Sequence, residues 1–120
     1  MNDMTEDSKP RPPVVDMADC ANMDRFIIDR APGRLWYEGT ASRVLVISFD
    51  NLATVDEGED RGPWMHKRIV TLGYSNLGVQ NMGKDWFRDP VFISLLKDLR
   101  SMGFFDQFEK IILMLSLIHI

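Results

Sequence analysis

The run Val44-Leu45-Val46-Ile47-Ser48-Phe49 restricts what this chain can fold into more than any other segment. A strand with one wet face alternates apolar and polar residues. This run does not alternate, so it is expected to be covered on both faces, as strands of a parallel sheet are. Leu35-Trp36-Tyr37-Glu38-Gly39, after the Pro32-Gly33 turn, reads as a short aromatic strand. Ser75 to Gln80 reads as a less apolar strand, and Lys110-Ile111-Ile112-Leu113-Met114 as a further buried one.

Helical spacing fills the gaps. Pro63 suits a first helical position, Met65, Ile69 and Leu72 follow as an apolar stripe, and Gly73 is a stop, which predicts a helix over 63–72. Asp89-Pro90 is the best helix start in the chain. Phe92, Leu95, Leu96, Leu99 and Met102 then share one face, Lys97 and Arg100 suit the C-terminal half of the macrodipole, and Gly103 ends the helix. The order after residue 34 is strand, strand, helix, strand, helix, strand. Such alternation predicts an α/β class: an incomplete, mostly parallel sheet with flanking helices.

Composition narrows the function classes. The chain has 120 residues, 45% apolar and 27% charged, the balance of a globular domain. A net charge of −4 with no basic stripe argues against a nucleic-acid partner. The single cysteine, Cys20, has no internal disulfide partner, and it lies among acids that raise a thiol pKa. No stretch approaches the roughly twenty apolar residues that span a bilayer, and Met1 to Pro13 lacks the apolar core of a signal peptide. No membrane partner is expected, and the chain is read as cytoplasmic. Residues 1–25, with six acids, three bases and Pro10, Pro12 and Pro13, read as a flexible lead-in, carrying at most a short helical turn after Met17. Residues 26–114 read as a partial α/β domain. Leu115-Ser116-Leu117-Ile118-His119-Ile120 reads as the in-frame translation of the transposon-end adapter used in sequencing libraries, so 115–120 are expected to be a non-native tail.

No catalytic constellation can be assembled from the remaining residues. His66 reads as a solvated histidine on the first helix. No CxxC, HExxH or glycine-rich phosphate loop is present, so neither a metal nor a nucleotide cofactor is expected. The carboxylates Asp56, Glu57, Glu59 and Asp60 lack the alternation of a calcium loop and read as solvated. Two loops are more informative, because open α/β sheets bind ligands at the carboxyl ends of their strands. Asp50 follows the strongest strand, and Asp85, Trp86 and Arg88 follow the next. These four are candidate pocket-lining residues. Alternatively, the Trp86-Phe87 pair pins its loop to the domain, with Asp85 and Arg88 in an ion pair.

Three segments taken together, Leu45 to Leu52, Leu72 to Val79 and Lys84 to Asp89, resemble bacterial members of the α/β-hydrolase superfamily over roughly residues 34–114. The resemblance implies a partial three-layer hydrolase-like fold in which the third strand, first helix, fourth strand, second helix and fifth strand fall in the order above. It implies a small-molecule ester or acyl substrate, and a serine-bearing elbow following the strand at Lys110 to Met114. Catalytic serine, acid and base would then lie beyond this segment, with Ser116 in the adapter-like tail and no catalytic residue present. Backbone N–H groups of Asn51 and Leu52 would contribute to the oxyanion hole. Two rival readings are a non-catalytic α/β interaction domain using the Trp86-Phe87 and acidic loops, and a nucleotide-dependent transferase or reductase.

Overall fold

The structure, a computed structural model, describes residues 10–50, 62–81 and 89–115. Its elements in chain order are strands β1 (Arg25–Arg30), β2 (Gly33–Glu38) and β3 (Val44–Phe49), helix α1 (His66–Thr71), strand β4 (Ser75–Asn81), helix α2 (Val91–Ser101) and strand β5 (Lys110–Met114). Single 3-10 turns occupy Met17–Asp19 and Phe104–Gln107.

The strands form one sheet in the order β1-β2-β4-β3-β5. β1 pairs antiparallel with β2, and β2 with β4, while β3 lies parallel to both β4 and β5. The expectation of a mostly parallel, hydrolase-like three-layer α/β fold is therefore corrected. This is a small mixed α/β domain built mainly from strands, with two of its four pairings antiparallel. Connection lengths give the reason. A parallel return needs a dozen or more residues, yet only Ala31 and Pro32 join β1 to β2 (across a cis peptide bond), and only residues 39–43 join β2 to β3. Both links reverse the chain.

β3 falls where its composition predicts, and α2 begins one residue after the predicted Asp89-Pro90 start, with Asp89 Oδ1 accepting the Val91 N–H at 2.9 Å. α2 buries Phe92, Leu95 and Leu99 against Ile28, Leu35, Leu45, Ile47, Leu77 and Val79 of the sheet. Phe26, Tyr37 and Phe104 close one end of this core, with edge-on and tilted rings 4.8–5.8 Å apart.

Three details differ from expectation. β1, at the start of the expected domain, is a strand that the sequence reading does not identify, because Arg25, Asp29 and Arg30 disguise its buried Phe26-Ile27-Ile28 centre. The first helix is shorter than 63–72: Met65 takes φ 64° at its start, and Leu72 is 67% exposed rather than part of a buried stripe. β5 is not buried; it is an edge strand with Ile111, Ile112 and Leu113 exposed. Residues 10–25 lie along the sheet, with the Ile27 N–H donating to Pro13 O and the Val15 N–H to Ile27 O.

Gly78 fixes where the chain ahead of α1 can sit. A Cβ at this position would lie 2.2 Å from Pro63 Cβ. Gly78→Ala is thus expected to destabilise the fold by about 1–3 kcal/mol through overpacking, and adding Pro63→Gly should recover part of the loss. Denaturant unfolding of the single and double variants measures both.

Candidate functional site

The two faces of the sheet differ in chemistry because side chains alternate along each strand. One face carries the apolar core under α2. The other carries Arg25, Arg34, Trp36, Glu38, Ser48, Asn76 and Gln80, with α1 and Pro63 packed near its centre. Six of these seven are buried, so their polar atoms need partners inside the fold.

Most have them. Arg25 Nε donates to Glu38 Oε2 at 2.8 Å, and Arg34 Nε to Asp29 Oδ1 at 2.5 Å. Asn76 Nδ2 donates to Val46 O and to Ser48 Oγ, each at 3.0 Å. Arg11 lies over the Trp36 ring with its guanidinium carbon 5.7 Å from the centroid. Three further atoms gather around His66. Its ring meets Trp36 edge-on at 5.9 Å, and Trp36 Nε1, His66 Nδ1 and Asn76 Oδ1 are buried without an aligned hydrogen bond.

His66 is therefore not the solvated histidine that its sequence context suggests. Burial pushes its pKa below the ordinary 6.5, and the Glu38 carboxylate and the Asn76 amide oppose that shift more weakly. A neutral imidazole beside a carboxamide could accept or donate a proton. Among the described serines, the Ser42, Ser48, Ser75, Ser94 and Ser101 hydroxyls engage Val44 N–H, Asn76, Thr40 N–H, Arg30 and Lys97 O rather than this imidazole. Cys20 is a core residue whose thiol contacts Met17 O at 3.2 Å. Burial first, and the neighbouring Asp19 charge to a lesser degree, push that thiol up, away from nucleophilic character.

Of the predicted site residues, Asp50 is placed. It is buried at the carboxyl end of β3, where its N–H donates to Val79 O at 3.1 Å and its Oδ2 accepts the Asn81 N–H at 2.9 Å. Its carboxylate thus joins the end of β3 to the end of β4. Asn51 and Leu52, Asp85, Trp86 and Arg88, and the acids Asp56, Glu57, Glu59 and Asp60 lie outside the described residues. Sequence reasoning missed Trp36, His66 and Asn76. The available signal was the period-two polar series Asn76-x-Gly78-x-Gln80, which marks one face of β4 as polar.

Among the described residues, no group of three or more His, Cys, Asp or Glu side chains could hold a metal ion, and no helix is long and apolar enough to cross a membrane. No protein-family model, curated protein or solved structure matches the chain.

The depressed His66 pKa has a defined consequence. The unfolded chain takes up this proton near pH 6.5, whereas the folded chain resists it to lower pH. The stability this histidine contributes is complete above pH 6.5 and is lost as pH falls through that value toward the folded pKa. Unfolding free energy measured between pH 7.5 and 5 should therefore fall more steeply for the wild type than for His66→Gln.

Proposed function

We propose that this chain is the N-terminal scaffold part of a serine-hydrolase-like protein, an esterase or acyl hydrolase for a small-molecule ester, acting in the cytoplasm. The observation that carries this reading is the tie at Asp50. β4, β3 and β5 run parallel and side by side, so their carboxyl ends share one edge, the edge at which such strands present ligands. Asp50 bonds to that edge through both its backbone and its side chain. The chain thus leaves β3 from a fixed point.

Asn51 and Leu52 come next, and in this reading their backbone N–H groups meet the developing acyl oxyanion. A preorganised donor of that kind contributes about 3–4 kcal/mol to the transition state. The chain's described serines hydrogen-bond to other groups, which supports a scaffold whose nucleophile comes from elsewhere. Asp50 serves as a positioning residue, and Asp85, Trp86 and Arg88 are proposed to border the substrate. A lone cysteine held as a buried thiol is consistent with a reducing compartment.

The polypeptide of residues 1–120 should neither hydrolyse short p-nitrophenyl esters nor label with a fluorophosphonate serine probe. Sequencing the native gene past the codon for Met114 should reveal a Gly-x-Ser-x-Gly-like turn, and protein containing it should label. A continuation without such a turn, or labelling of a serine within residues 1–114, overturns the proposal.

A further inference from the structure

α2 turns Phe92, Leu95 and Leu99 into the core, yet a second set of its side chains also shares a face. Ile93, Leu96, Lys97 and Arg100 stand at i, i+3, i+4 and i+7. With Ile47 of β3, Ile111 of β5 and Phe105, they line a groove of about 380 Å³. Ile47 forms its buried floor, Leu96 and Phe105 are half-buried, and two apolar members are exposed, Ile93 at 64% and Ile111 at 44%, with Leu113 at 63% two residues further along β5. Lys97 and Arg100 are exposed and take part in no ion pair among the described residues; the nearby pairs are Arg30 with Asp98 and Arg43 with Glu109.

We infer that this groove is a docking site for an amphipathic helix with acidic flanks, supplied by a protein partner. The i, i+3, i+4, i+7 spacing presents a ridge of the kind that packs beside a second helix at an interaxial distance of about 8–10 Å. A helix laid along α2 would cover Ile93, Ile111 and Leu113 with its apolar face and bring its flank against the two cations. Charge complementarity selects the occupant. A second copy docked face to face through this groove would oppose the same cations, and a net charge of −4 opposes approach to an anionic lipid surface. Neither the Asp50 edge nor His66 lines the groove.

The test displays a library of amphipathic helices with a fixed apolar face and randomised flanks against the full chain. Asp and Glu should be enriched at the flanks. Against the Lys97→Glu/Arg100→Glu variant, whose changes are at exposed positions, enrichment should switch to Lys and Arg. The acidic winners should bind that variant about twofold to thirtyfold more weakly, the range for two exposed ion pairs. Flanks with no charge preference overturn the inference. Capture by phosphatidylserine vesicles without helix binding also overturns it, as does self-association of the chain that Ile93→Glu abolishes.

Discussion

β4 is buried at all seven of its positions, and the rest of the domain is arranged around that requirement. A strand without a wet face needs a cover on each side and an internal partner for each polar side chain. On one side Leu77 and Val79 meet the apolar face of α2. On the other, Asn76 bonds to β3, while Gly78 offers the only side-chain-free position of the strand, and Pro63 packs there. β4 is also where strand direction switches, antiparallel to β2 and parallel to β3. The hairpin part and the crossover part of the chain thus depend on the same covered strand.

The polar face has energetic consequences. Leaving a buried polar atom without a partner costs about 1–3 kcal/mol, and an uncompensated charge costs more. Glu38, almost wholly buried, is accordingly held by Arg25, whose side chain reaches solvent and carries part of the charge outward. Arg34 is matched by Asp29 in the same way. His66 can reduce its cost differently, by staying neutral. Three of the five buried side-chain atoms without an aligned hydrogen bond among the described residues, on Trp36, His66 and Asn76, lie where the ionisable member can shed its charge. The Arg25 guanidinium has no such freedom, and it is paired with Glu38.

How much of this was legible follows from the range over which each signal acts. β3 and α2 were readable because burial on both faces and a 3.6-residue stripe are local patterns, and both elements satisfy them within their own residues. The direction of β2 was equally decided by local facts, the lengths of the 31–32 and 39–43 links, but the strand-helix alternation further along outweighed them in the reading. β1 was hidden by charged ends whose partners, Glu38 and Asp98, lie far along the sequence. Asn76 and His66 were illegible as neighbours for the same reason. Only the crossover through α1 brings them together, and a histidine on a short polar helix looks wet until Trp36 is placed against it.

β3 separates two regions with different mechanical character. At its carboxyl end the Asp50 bonds to Val79 and Asn81 join adjacent strands through backbone and side chain together, so displacement of one strand end is resisted by the other. Along its flank β5 contributes a regular parallel ladder but little buried side chain, and Ile111 and Leu113 stay in contact with water. Backbone pairing defines where β5 lies, whereas apolar burial, the larger source of stability, is still to be gained on that side. A rigid edge suits chemistry that needs a fixed donor, because a donor displaced by an ångström loses its advantage. An unfilled groove suits association, because each apolar group it covers adds free energy that the isolated domain has not yet realised. The two proposals draw on opposite properties of neighbouring strands, which is why one sheet can support both without either site using the other's residues.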